Sequence, residues 1–151
     1  EADWTLIRKI KGNPRIQIPV FGNGDVNSPE KAKEMRDNYG VDGIMIGRAS
    51  IGYPWIFNEV KHYLATGEYL APPTIDQRVD TCLKHFEFSL KWKGEKLGNV
   101  DMRRHYSNYF KGFHGFKPFR MRLVTTNENS EIFETLEEIR AYYANMKMAV
   151  A

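Results

Sequence analysis

Ile16-Gln17-Ile18-Pro19-Val20-Phe21-Gly22-Asn23-Gly24-Asp25 is an apolar run closed by a glycine-bearing turn. It leads to Ser28-Pro29-Glu30, where Ser28 is suited to cap a helix and Pro29 to occupy its first turn. The pattern then repeats. Asp42-Gly43-Ile44-Met45-Ile46 ends in Gly47-Arg48-Ala49-Ser50 and leads to Tyr53-Pro54-Trp55-Ile56-Phe57, a second helical opening with proline near its start. Two successive strand–turn–helix units predict adjacent βα units of a parallel sheet, whose strand C-terminal ends are where ligands sit. Glycine at such ends admits positive φ and lets backbone amides approach an anion, while the next helix offers unpaired N–H groups and a positive dipole end. Arg48 adds a fixed charge and a planar donor fork suited to a phosphate monoester. Glycine turns at strand ends are common in α/β proteins, so either turn alone carries little; the pair carries more.

Between and around these units the chain reads as helix. Residues 4–10 look like a helix end stopped by Gly12-Asn13-Pro14. Residues 29–39 form an amphipathic crossover with Ala32, Met35 and Tyr39 on one face, closed by Gly40. A helix over about 54–64 follows the second strand. Leu70-Ala71-Pro72-Pro73 marks a boundary, since two prolines favour an extended connector. This predicts a first domain over 1–69 and a helical domain over 70–151. In the latter, Thr74 and Gln77 match a capping box, and Ile75, Val79, Cys82, Leu83, Phe86 and Leu90 recur at helical spacing. Lys93-Gly94-Glu95 and Leu97-Gly98-Asn99 read as interruptions before a helix over 100–111. A short helix passes through Phe119 and Leu123, and a final one begins near Asn129-Ser130, burying Ile132, Phe133, Leu136, Ile139 and Tyr143.

Charge separates these regions. Residues 74–123 hold eleven Lys and Arg against five Asp and Glu, a net +6, whereas 1–73 are balanced and 124–151 carry −3. Arg103, Arg104, Lys111, Lys117, Arg120 and Arg122 are interleaved with His105, Tyr106, Asn108, Tyr109, Phe113 and His114. Arg104, Asn108 and Lys111 fall at i, i+4 and i+7, so one helix face could offer cations and an amide to a phosphate backbone. A solvated cationic surface and a reader of structured RNA are both compatible with this spacing.

Composition narrows the class. The 151 residues are 42% hydrophobic and 27% charged, as in a soluble globular protein, and no apolar run approaches the ~20 residues that span a bilayer. Cys82 is the single cysteine, so no intramolecular disulfide is possible and a cytoplasmic location is expected. It lies on an apolar helix face and reads as a core residue. No spacing of His, Cys or acidic residues suggests a metal. His62 and His85 read as surface or boundary positions, Trp55 and Phe57 as packing residues, and Trp92 has no evident role.

Three ordered motifs, Gly22-Asn23-Gly24-Asp25, Gly47-Arg48-Ala49 running into Pro54-Trp55-Ile56-Phe57, and Met102-Arg103-Arg104-His105-Tyr106 leading to Tyr109-Phe110-Lys111-Gly112, resemble the C-terminal half of bacterial tRNA-dihydrouridine synthases of the DusB type. The resemblance weakens after about Val124. It implies an oxidoreductase that uses FMN and NADPH to reduce uridine in tRNA to 5,6-dihydrouridine, built from an FMN-binding (β/α)₈ TIM barrel and a small helical tRNA-binding domain. By that likeness Asn23, Gly24 and Asp25 match one FMN-phosphate segment and Gly47 with Arg48 the other. Arg103, Arg104, His105 and Lys111 match the tRNA-facing region, to which the charge pattern adds Asn108, Lys117 and Arg120. A complete barrel needs eight strands and roughly 250 residues, so the expectation is an α/β plus all-α fragment: the last two βα units of the barrel, then a helical bundle. The family's catalytic cysteine belongs to earlier strands and is not Cys82, so the chain alone is expected to be inactive. Exposed strand edges make self-association possible. Two other readings stay open: an FMN-dependent TIM-barrel oxidoreductase acting on a small molecule, and a stand-alone RNA-binding or interaction module without a cofactor.

Overall fold

The computed structural model describes residues 2–149, with side chains described up to residue 145. The chain divides into two compact units, Glu1–Ala71 and Pro72–Ala151, so the division falls inside the proline connector.

The first unit runs α1 (Thr5–Lys11), β1 (Phe21–Asn23), α2 (Pro29–Tyr39), β2 (Gly43–Met45), a 3₁₀ turn (Arg48–Ser50) and α3 (Ile56–Thr66). The two strands are parallel, with Phe21, Gly22 and Asn23 opposite Gly43, Ile44 and Met45. Local signals set α2: the Ser28 hydroxyl accepts from the Lys31 amide at 3.3 Å, proline stands in the first turn, and Gly40 closes the helix at φ 65°. Gly22 is what lets α2 lie on the sheet. A Cβ there would come within 2.3 Å of the Met35 sulfur. Trp4, Val26, Ala32, Met35, Val41, Ile56 and Val60 form the core of this unit.

The strands differ from the sequence expectation. The first, expected over 16–21, pairs only from Phe21 to Asn23, so half of the glycine turn is itself strand. Pro19 has no amide to donate and biases Ile18 toward an extended, unpaired path. Val20 joins through its carbonyl, accepting from the Asp42 amide at 2.9 Å, and its amide donates to the Asp42 carboxylate at 2.7 Å. The second strand stops at Met45, and α3 opens at Ile56 rather than at residue 54. Ile18, Phe21 and Met45 remain 73%, 67% and 57% exposed, the condition of a sheet lacking further strands or a covering layer.

The second unit packs α4 (Ile75–Lys93), α5 (Glu95–Tyr109), α6 (Lys117–Thr125) and α7 (Asn129–Ala149) around Val79, Cys82, Phe86, Met102, Tyr106, Leu123, Ile132, Leu136 and Ile139. Both bonds of the capping box form: the Gln77 amide donates to the Thr74 hydroxyl, and the Thr74 amide to the Gln77 side chain. Gly94, at φ 79°, alone separates α4 from α5. The expected second break at Leu97-Gly98-Asn99 does not occur, and α5 continues through it. Gly98 instead serves helix contact: a Cβ there would lie 2.7 Å from the Ser89 carbonyl oxygen, and the Ser89 hydroxyl donates to the Gly98 carbonyl at 3.1 Å. Asn99 is buried, its amide donating to Asn129 at 2.9 Å. Cys82 is fully buried, and that burial pushes its thiol far above the ordinary range. No helix among the described residues is long and apolar enough to cross a membrane.

Candidate phosphate pocket and basic helical face

Parallel pairing in register brings the ends of β1 and β2 side by side, so the chain leaves both strands toward the same point. A cavity of about 730 Å³ opens there, lined by Asn23, Gly24, Asp25, Val26, Asn27, Met45, Gly47, Arg48, Ala49 and Ala2. The β1 loop is held from behind. The Trp4 indole donates to the Gly24 carbonyl at 2.9 Å, and a Cβ on Gly24, whose φ is 126°, would stand 2.6 Å from Ala2 Cβ. Asp25 follows in the left-handed region at φ 47°, a conformation aspartate tolerates better than most residues.

Asp25 and Arg48 meet across the cavity. One carboxylate oxygen of Asp25 accepts from the Ala2 amide at 2.8 Å and the other pairs with the Arg48 guanidinium. The Ala2 hydrogen bond first, and then the Arg48 charge, hold the Asp25 carboxyl below its ordinary range. The Arg48 side chain is 86% exposed even so, leaving most of its donor fork turned to the cavity and solvent. Gly47 does not use the positive φ that glycine admits: it stands at −100°, and its carbonyl accepts from the Ser50 amide at 3.0 Å and the Ser50 hydroxyl at 2.8 Å. The helix α3 therefore begins beyond the 3₁₀ turn, at Ile56, two residues after the opening expected at about Pro54, so its N-terminus is separated from Gly47 by that turn.

In the helical unit the seven expected RNA-facing residues part company. Arg103 is half-buried and turned inward, donating to the Thr126 carbonyl at 3.1 Å and the Asn127 side chain at 2.9 Å. Arg104 is exposed but shares Asp101, at 2.8 Å, with Lys93, and its Nε donates to His105 Nε2 at 3.2 Å. His105 and Asn108 are half-buried. The His105 ring sits 4.7 Å from that of His85, which shares a hydrogen bond with the Tyr109 hydroxyl at 3.1 Å. Burial holds both imidazoles below their ordinary range. Lys111, Lys117 and Arg120 are exposed and make no ion pair among the described residues. Arg122, by contrast, is clamped by Glu138 and Glu131.

The chain matches the family model described as dihydrouridine synthase (Dus) over residues 1–146. The chain belongs to the dihydrouridine synthase family. It is 40% identical over 147 residues to tRNA-dihydrouridine synthase B of Pseudomonas putida, covering 97% of this chain and 40% of that protein. It is 39% identical over 145 residues to the enzyme of the same name from Proteus vulgaris, covering 96% and 43%. A probable tRNA-dihydrouridine synthase of Rickettsia conorii is 36% identical over 137 residues, covering 91% and 41%. The chain thus spans about two fifths of the length of these curated relatives.

Within this chain of the dihydrouridine synthase family, Asn23, Gly24, Asp25, Gly47 and Arg48 all line one cavity. Sequence reasoning missed Asn27 and Met45, which line it too, and the supporting indole of Trp4; nearness to the two turns signals the first two, whereas Trp4 lies 20 positions from Gly24 and has no local signal. The basic residues are not gathered into one free cationic face. Among the described residues, no group of three or more His, Cys, Asp or Glu side chains is placed to hold a metal ion.

Proposed function

We propose that this chain supplies the phosphate grip and the RNA-binding part of a flavin-dependent tRNA-dihydrouridine synthase, its first unit being the last two βα units of an eight-stranded barrel. The observation that carries the reading is the convergence of two loops, 22 residues apart in sequence, on one cavity that holds an exposed guanidinium. The donor set suits the phosphate end of FMN: the Arg48 fork, the Asn23 and Asn27 amides, and unobstructed space at Gly47, where an added Cβ would meet nothing within 4 Å. Asp25 is an anion beside an anion site, so its part is to aim Arg48 rather than to touch phosphate. The exposed apolar strand faces of Phe21 and Met45 fit contact with further barrel strands, or with a second copy where those are lacking.

The chemistry a bound flavin supplies is hydride for the uracil ring, drawn from NADPH. The helical unit's work is to hold folded tRNA by its backbone while the target uridine leaves its stack, which Lys111, Lys117 and Arg120 can do. Cys82, buried in the helical core, is no donor to substrate. The setting that goes with this reading is the cytoplasm. A second reading, an RNA-binding module without cofactor, is favoured by one observation: Arg48 already has a carboxylate partner.

Mass spectrometry of tRNA treated with the protein that carries this chain at full length, with NADPH, tests the proposal. Dihydrouridine forms with the native sequence and falls at least tenfold with Arg48→Ala. Unchanged uridine with the native protein contradicts it.

A further inference from the structure

The helix α4 buries Val79, Cys82 and Phe86 on one face and turns two aromatic rings outward on the other. Phe88 is 59% exposed and Trp92 81%. They stand four residues apart and are therefore neighbours on the helix surface. Lys84 lies one turn before Phe88 and Lys91 three residues after it, both exposed on the same stripe. Single exposed apolar residues need no explanation, but two adjacent aromatics between two lysines combine a stacking surface with charge. Nearby acids are mostly committed elsewhere: Asp80 pairs with Arg140 at 2.7 Å, and Asp101 with Lys93 and Arg104, leaving Glu87 on the flank. His85, three residues before Phe88 on α4, meets the His105 ring of α5 at 4.7 Å, and the Arg104 guanidinium donates to that ring at 3.2 Å.

We propose that the outward stripe of α4, Lys84, Phe88, Lys91 and Trp92, is a stacking platform for unpaired bases of folded RNA, with the lysines on the adjoining phosphates. This rests on the RNA-binding reading of the helical unit. A nucleotide brings a π face and a negative charge together, matching the rings and lysines of the stripe, whereas an apolar protein face would itself offer no counter-charge to either ammonium group. Neighbouring positions one helical turn apart hold Cβ atoms about 6 Å apart, wider than stacked bases, so the platform takes bases splayed from a loop rather than a continuous stack.

Binding of the 151-residue chain to a tRNA transcript and to a blunt RNA duplex of equal length tests it. Trp92→Ala weakens tRNA binding roughly tenfold, by the usual worth of one stacked base, leaves duplex binding within twofold, and leaves the salt slope unchanged. Trp92→Phe retains most of the affinity. Emission of Trp92, the most exposed of the three tryptophans, is quenched by tRNA and not by duplex. Native binding that is unaffected by Trp92→Ala overturns the platform while sparing the RNA reading, and absence of any salt-sensitive tRNA binding overturns both. Concentration-dependent sedimentation of the free chain that Trp92→Ala abolishes overturns it in favour of a second copy on this face.

Discussion

Arg48 keeps its side chain almost wholly in solvent and still has a fixed neighbour, because Asp25 is itself pinned by the Ala2 amide. That arrangement limits the rotamers the guanidinium explores, so less freedom would be lost if it bound the phosphate proposed for it. Nothing in the sequence announced the pairing, since the two residues lie 23 positions apart and meet only through strand register. Arg103 illustrates the same limit: its partners, Thr126 and Asn127, come from the connector between α6 and α7, 23 and 24 positions on. Its spacing on α5 gave no sign that it faces inward. Val79, Cys82 and Phe86 were legible, because an apolar side chain at helical spacing has few places to go. At this scale the imidazoles give a pH prediction. His85 and His105 bind protons less readily in the folded chain than in the unfolded one, whose histidines titrate near 6.5. Below that pH the unfolded chain takes up more protons, so stability falls as pH drops from about 7 toward 5. Urea denaturation over this range should show the midpoint declining, and the double substitution His85→Gln with His105→Gln should flatten it. A flat native profile would contradict the burial argument.

Among the elements, those with local punctuation were read correctly from the sequence. The helix α2 starts and stops at its cap and its glycine, and α4 opens on a complete capping box. Thr74→Ala should therefore cost about 1 kcal/mol in urea unfolding. The strands were not legible in detail, because a three-residue ladder depends on a partner remote in sequence and on where proline withholds a donor. Gly98 was misread for a physical reason: glycine either ends a helix or lets another helix come close, and only packing tells which. Gly98→Ala would drive a Cβ into the backbone at Ser89 and Leu90. It should destabilise the helical unit by about 1–3 kcal/mol, as overpacking does. An unchanged urea midpoint would mean that the two helices can part without loss.

At the scale of the whole chain, the first unit holds a polar cavity lined by Arg48, and the second holds Lys111, Lys117 and Arg120, exposed and without an ion pair among the described residues. Replacing Lys117 and Arg120 with glutamine should lower the slope of log tRNA affinity against log salt by about 2, with little effect on folding. Arg103→Gln, being internal, should instead lower stability and leave the slope unchanged. The central claim is that the two loops recognise a phosphorylated cofactor through Arg48, and comparing FMN with riboflavin, which differ by that phosphate, is its most direct measurement. Fluorescence titration of the chain should show FMN binding at least tenfold tighter than riboflavin, with the preference lost in Arg48→Ala, as expected for hydrogen bonds to a charged group. Equal affinity for the two flavins in the native chain, or a preference that survives Arg48→Ala, would contradict the account.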